Sequence, residues 1–259
     1  SKDIAPFLED WRGKKKGRAI CVVRPVSAEQ VSQIIFLANA ENTPVFLQGG
    51  NTSLCNGSIP SIAGNGILML LSGMSTIRSV DVAANSVTVD AGVILSHVHD
   101  AAAEVERQFP LYLGSEGSAQ VGGLIATNAG GTGAVRYGTM RDLVYGLEVV
   151  LPDGNIISDL APLRKNNIGY DLKHLFIGSE GTLGVITGAS LKLFPSIKSD
   201  AHAWIALNDV DNAVALLMAL QSKFDTSVLA CELLSRTQID ITLNNVPLTR
   251  LPFEKTPEW

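Results

Sequence analysis

Three stretches of this chain concentrate glycine among small polar residues: Gln48–Gly57 (QGGNTSLCNG), Gly114–Gly138 (GSEGSAQVGGLIATNAGGTGAVRYG) and Gly178–Gly188 (GSEGTLGVITG). Together they hold 15 of the 24 glycines. Glycine inside a helix or strand costs roughly 0.5–1 kcal/mol relative to alanine. Such density therefore marks backbone at positive φ, or backbone lying against a ligand with no Cβ between them. Successive N–H groups of a turn can bind an anion without any cation. The chemistry implied is a dispersed, backbone-lined cradle for something large and anionic.

Other chemistries find less support. The Walker pattern requires Gly-Lys-Ser/Thr, which does not occur, and no GxGxxG stands between a strand and a helix with an acid about 20 residues on. The four histidines offer no metal set: His97 and His99 lie two apart on a helix-like stretch and so on different faces, while His174 and His202 are isolated. No metal site is expected. Cys21, Cys55 and Cys231 form neither an even disulfide set nor a CxxC pair, which suits a reduced, cytoplasmic protein. Cys55, just beyond the first glycine pair, is expected to be buried as a small apolar residue rather than to act as a nucleophile.

A net charge of −5 argues against nucleic acid, and Lys14-Lys15-Lys16 reads as solvated surface. No apolar run reaches the 18 or so residues of a membrane span, and the N-terminus has no signal-like apolar region. With 46% hydrophobic and 17% charged residues among 259, the chain can build a real core.

The loops need elements to hold them. Arg18–Arg24 reads as a strand closed by Pro25. Ser27-Ala-Glu-Gln30 is a capping box opening a helix with Val31, Ile34, Ile35 and Ala38 at helical spacing. Pro44–Leu47 is a strand running into Gly49-Gly50. Ile67–Leu71, Ile77–Asp81 and Ser86–Asp90 are short strands, and Leu95–Glu106 is helical. Val144–Leu151 is a strand ending in the hairpin signal Pro152-Asp153-Gly154-Asn155, and Gly184–Phe194 is another, stopped by Pro195. Beyond the polar linker Ser196–Asp200 the pattern becomes strand Ala201–Leu207, helix Val210–Phe224, strand Val228–Leu233, helix Ser235–Asn244, then the loop-like Val246–Trp259.

In order along the chain, QGGNTS, GSEGSAQVGGLIATNAGG, RYGTMRDLVYGLEVVLPDG, LRKNNIGYDLKHLFIGSEGTLGVIT and KLFP resemble the FAD-binding domain of the vanillyl-alcohol-oxidase-like (PCMH-type) flavoproteins. The resemblance covers Trp11–Pro195 and is strongest to the FAD-linked D-2-hydroxy-acid dehydrogenases acting on D-lactate, glycolate or D-2-hydroxyglutarate. It implies an α+β fold: a FAD-binding domain of two α/β subdomains over residues 1–197, then an incomplete α+β substrate (cap) domain over 198–259. It also implies the cofactor residues. Gln48, Gly49, Gly50, Asn51, Thr52 and Ser53 would form the first diphosphate loop, with Gly114, Gly117, Ser118, Gly122 and Gly123 as a second wall. A short helix over Val121–Asn128 would turn its N-terminal end to phosphate. Asn128, Gly130 and Gly131 would lie along the ribityl chain and ring, with Thr127 and Tyr137 also binding the cofactor (Tyr137, like Arg136, with a substrate carboxylate or a structural bond as alternatives), and Glu180, Gly181, Gly184, Val185 and Ile186 would hold the adenosine end. A valine at Gly50 or Gly123 is expected to occupy the phosphate's place.

Some members attach FAD through a first-loop histidine. None stands there, so non-covalent FAD is implied. Arg136 and Lys165 could contact cofactor or a substrate carboxylate, with structural hydrogen bonding an equal alternative. In the similar dehydrogenases a later segment supplies the substrate arginine and lysine, the metal-binding histidines and the base. The catalytic residues are therefore expected outside this chain, which alone should turn over little substrate. Three readings stay open: part of a D-2-hydroxy-acid dehydrogenase passing electrons to an unnamed acceptor, a non-catalytic FAD-binding subunit, or an NADPH-dependent flavin reductase of the same fold. A homodimer or a partner flavoprotein chain would suit the first two.

Overall fold

An apolar triplet closed by proline opens the framework. Cys21–Val23 forms β1, and the chain turns at Pro25 into helix α1, Ala28–Ala40. The Ser27 hydroxyl accepts the Gln30 N–H at 3.3 Å, while the Gln30 carboxamide accepts from Val26 rather than from Ser27, so the expected box closes one residue early. Val45–Gln48 (β2) and Ile67–Leu70 (β3) complete a parallel three-stranded sheet in the order β1-β3-β2. The computed structural model describes residues 2–259, with side chains from Ile4 onward.

A second sheet follows. Ile77–Asp81 (β4), Ser86–Asp90 (β5), helix α2 (Leu95–Ala103), Arg107–Gln108 (β6), the short helices α3 (Val121–Ala126), α4 (Ala134–Tyr137) and α5 (Met140–Leu143), Val144–Val150 (β7), Ile156–Asp159 (β8), helix α6 (Lys173–Phe176), Val185–Lys192 (β9) and Phe194–Pro195 (β10) come in turn. Five of these strands pair antiparallel in the order β4-β5-β9-β7-β8, and β6 pairs with β10. Helix α1 packs on β7, β8 and β9, and α3 on β9 and β5. With both faces covered, β9 is buried from Val185 to Leu191, the polar Thr187 and Ser190 included. Gly188, counted above with the third glycine stretch, belongs to this strand. A Cβ there would stand 3.0 Å from the Arg78 guanidinium, which is gripped by Asp90 at 2.6 Å and Glu148 at 2.8 Å. Those carboxylates, Glu148 foremost, push the Arg78 pKa above its ordinary value.

The chain divides into two compact units, residues 1–131 with 138–196, and residues 132–137 with 197–259. In the second, α7 (Val210–Phe224) is capped by Asp209 and α8 (Arg236–Asn245) by a reciprocal Ser235–Gln238 box. The strands expected over Ala201–Leu207 and Val228–Leu233 do not form. Leu207 and Trp259 exchange N–H···O bonds at 3.0 and 3.2 Å, but no ladder grows from them. A helix satisfies its own backbone, whereas a strand needs a neighbour along its whole length.

Candidate cofactor site

Strand β2 delivers the first loop. Gln48 is 1% exposed, and its Nε2 donates to the Phe7 and Ser58 carbonyls at 2.9 and 3.1 Å. Asn51, at φ 53°, donates from Nδ2 to the Glu9 carbonyl at 2.9 Å and accepts the Ser58 hydroxyl at 3.2 Å. These two side chains are thus engaged with the protein's own N-terminal segment. Among the described residues, the backbone N–H groups of Gly50, Asn51 and Thr52 donate to no protein acceptor. Gly50 is glycine for a reason other than the one its sequence suggests: a Cβ there would meet the Ser118 carbonyl oxygen at 1.8 Å. The space assigned to phosphate is filled by the second loop. Cys55 is exposed, not buried as expected. Its N–H donates to the Ser53 hydroxyl at 3.2 Å, in a turn that runs over the surface.

The second loop enters α3 through a turn in which Ser118 and Ala119 both donate to Ser115. The first two amides of α3 are already engaged, Val121 with Val93 at 2.9 Å and Gly122 with Ala91 at 2.7 Å. Gly122 permits that docking, since its Cβ would lie 2.7 Å from the Ala91 methyl. The expectation of a phosphate-facing helix start narrows to one group. Gly123 keeps an N–H without a protein acceptor, and nothing lies within 4 Å of its missing Cβ, as also at Gly114 and Gly117.

The third loop is tied to the end of α3. Gly178 donates to Ile125 at 3.1 Å and Glu180 to Ala126 at 2.9 Å. Arg141 locks the junction: its Nη2 donates to the Ile177 carbonyl, its Nη1 to that of His174 at 2.8 Å, and its own N–H to Asn128 Oδ1 at 2.9 Å. The Asn128 carbonyl is therefore committed to holding the chain. Gly181, at φ 79°, sits over Leu47 of β2, and Glu180 Oε2 lies 3.4 Å from the missing Cβ of Gly57. Loops one, two and three meet.

Other predicted residues serve mainly as framework. Thr127 Oγ1 donates back to Gly123 O at 2.9 Å, and Gly131, at φ 66°, lies under the Tyr112 carbonyl. Gly184 is confined by Val149 and Val150, and the side chains of Val185 and Ile186 are buried in β9. Tyr137 belongs to the second unit, its ring 4.9 Å from the Arg136 guanidinium carbon. Lys165 is exposed.

Buried but unpartnered acceptors mark the junction too: Gln48 Oε1 and Gln120 Oε1, the latter 3.4 Å from the missing Cβ of Gly49. A buried acceptor left unmet costs about 1–3 kcal/mol. Free N–H groups suit anionic oxygens, and orphan amide oxygens suit hydroxyl donors. A dinucleotide such as FAD carries both, so the residues present fit it. Gln120 and Arg141 were not legible as site residues in the sequence. Gln120 shows only as a polar residue ahead of the Gly122–Gly123 pair, and Arg141 shows no signal at all.

Among the described residues no group of His, Cys, Asp and Glu could hold a metal ion, and no helix is long and apolar enough to cross a membrane. A concavity of about 790 Å³ lies in the second unit and is lined by Trp204, Leu234, Ile239, Leu243 and Leu251 among others. Its helix α8 buries no residue, so this is an open inner face rather than a built polar site.

The chain is 37% identical to the D-2-hydroxyglutarate–pyruvate transhydrogenase of Saccharomyces cerevisiae over 97% of its own length and 50% of that protein's. It is 37% identical to the mitochondrial D-2-hydroxyglutarate dehydrogenase of Arabidopsis thaliana (96% and 44%) and 39% identical to the D-lactate dehydrogenase of Archaeoglobus fulgidus (85% and 48%). It spans about half the length of the curated relatives it matches. Among solved structures, an alkyldihydroxyacetonephosphate synthase superposes with a TM-score of 0.66 at 22% identity, over 78% of this chain and 36% of that one, which establishes the shared fold. A family model described as an FAD binding domain matches residues 19–159, the stretch carrying the first two loops and most of both sheets. The chain belongs to that PCMH-type FAD-binding family.

Proposed function

We propose that this chain is the FAD-holding part of a flavin dehydrogenase that oxidises a small D-2-hydroxy acid of the lactate, glycolate or 2-hydroxyglutarate type. The carrying observation is the meeting of three loops that leaves the N–H groups of Gly50, Asn51, Thr52 and Gly123 free beside open space at Gly114, Gly117 and Gly123. The named activities of relatives 37–39% identical give the substrate class. FAD, held by these residues, would supply a two-electron acceptor for the oxidation.

The chain's own residues bind and orient. The free amides of the first loop and of Gly123 donate to the diphosphate, each charge-assisted bond contributing about 1.5–3 kcal/mol. Gln120, beside Gly49, offers its orphan oxygen to a cofactor hydroxyl. Arg141 and Asn128 fix the angle between the second and third loops. With no histidine in Gly49–Ser53 the cofactor is held without a covalent bond. Removing the hydroxyl proton and neutralising the substrate carboxylate require a base and fixed cations. The loop amides supply neither, so other groups complete the reaction.

Anaerobic titration of the intact protein with D-lactate, glycolate, D-2-hydroxyglutarate and NADPH in turn tests this. Loss of visible flavin absorbance with a hydroxy acid, and not with NADPH, is expected. Bleaching by NADPH alone would replace the dehydrogenase with a flavin reductase.

A further inference from the structure

We infer that Phe7–Arg12 is a clamp that positions the first loop from behind, and that its docking and FAD binding reinforce each other. The inference rests on the reading that the Gly50–Thr52 amides face the cofactor. The family match begins only at residue 19, so the segment lies outside it.

Three bonds join the clamp to the loop: Gln48 Nε2 to Phe7 O at 2.9 Å, Asn51 Nδ2 to Glu9 O at 2.9 Å, and Arg12 Nη2 to Leu54 O at 2.6 Å. They grip the loop at its start, its left-handed residue and its far side. Asp10, 3% exposed, closes the clamp's own turn by accepting the N–H groups of Arg12 and Lys15. The returning strand of that turn is pressed onto the loop's end, where Gly17 leaves 2.1 Å between a would-be Cβ and the Pro60 carbonyl and Arg18 donates to Ser61 at 3.1 Å.

The direction of these bonds matters more than their number. By drawing the Gln48 and Asn51 carboxamides backward, the clamp keeps the loop's two amide side chains away from its backbone donors. Without it, Ser58 alone holds the two carboxamides back, and their oxygens more readily fold over to accept from Gly50–Thr52, competing with the ligand. A loop held open for FAD by the clamp must, by reciprocity, hold the clamp more firmly when FAD is bound.

The turn carries its own probe, because Lys14, Lys15 and Lys16 are exposed trypsin sites. Saturating FAD should slow cleavage there by about tenfold or more. Arg12→Ala, at a partly exposed side chain, should raise the Kd for FAD by roughly five- to tenfold with little change in melting temperature, and Arg12→Lys should recover part of the loss. Asp10→Asn, which retains an acceptor oxygen, should fall between. Gly123→Ala, whose methyl faces open space, is the control for the underlying reading. If it weakens FAD while the Arg12 and Asp10 variants bind normally and cleavage ignores FAD, the clamp is refuted and the loop assignment stands. If Gly123→Ala also binds FAD normally, the loop assignment fails and the clamp with it.

Discussion

The two units answer similar sequence signals differently. Both contain capped helices and apolar strand-like runs, but the first buries Leu68, Phe109, Ile125 and Leu191 completely, whereas α7 and α8 of the second bury no residue. In the first unit every predicted strand finds a partner, and β9 finds one on each side. In the second, helices form where caps and spacing dictate, and the strand-like runs stay unpaired. Local signals suffice for helices, while strands exist only where non-local pairing completes them.

The largest expected effect separates the units outright. Leu191→Ala in β9 should destabilise the first unit by about 2–5 kcal/mol, read as a lower urea midpoint. Leu217→Ala, on half-buried α7, should change it by no more than about 0.5 kcal/mol. Equal losses would mean that the second unit has a core of its own.

A finer contrast lies inside the first unit, between glycines that look alike in sequence. Gly50→Ala drives a methyl into the Ser118 carbonyl and should lower both stability and FAD affinity. Gly123→Ala faces open space within a helix, so it should raise the stability of the FAD-free protein by about 0.5–1 kcal/mol while weakening FAD. Thermal melts with and without FAD read both effects. Parallel behaviour of the two variants would erase the distinction between packing glycines and cradle glycines.

The smallest effect is electrostatic. Burial raises the Asp10 pKa, but the Lys15 and Arg12 N–H groups outweigh it and hold the carboxyl below its ordinary value. A depressed carboxyl contributes stability that is present above its unfolded pKa, near 3.9, and lost as pH falls through the lower folded value. Asp10→Asn should therefore lower the neutral plateau of the stability profile slightly and flatten its acid limb below about pH 4, the two proteins converging at low pH. An identical acid limb would remove Asp10 from the account.

Much of the first unit was legible. Ile77–Asp81 and Ser86–Asp90 form with the expected bounds, and the parallel and antiparallel sheets stand where two subdomains were expected. The glycine stretches marked the loops that meet but not the work of each residue. Gly50, Gly122, Gly184 and Gly188 are glycines because backbone or side chains of distant segments press against them, and a single sequence does not show which segment comes near. The same limit hid Arg141, whose partners lie 33 and 36 residues away. Gln48 and Asn51 were expected in the first diphosphate loop, yet their side chains serve the N-terminal segment, while the N–H groups of Gly50, Asn51 and Thr52 remain free. The failed strands of the second unit have the opposite cause: their local pattern is sound, and the partners are wanting among the described residues.

The central claim is that backbone amides of converging loops, rather than cationic side chains, hold the FAD diphosphate in the first unit. Titration of wild type and Gly123→Val with FAD, followed by acid precipitation and with circular dichroism as the check on fold, tests it most directly. Wild type should bind one FAD and release all of it to the acid supernatant, while Gly123→Val keeps its spectrum and binds none. Wild-type affinity in Gly123→Val, or flavin retained on the precipitate, would contradict the account.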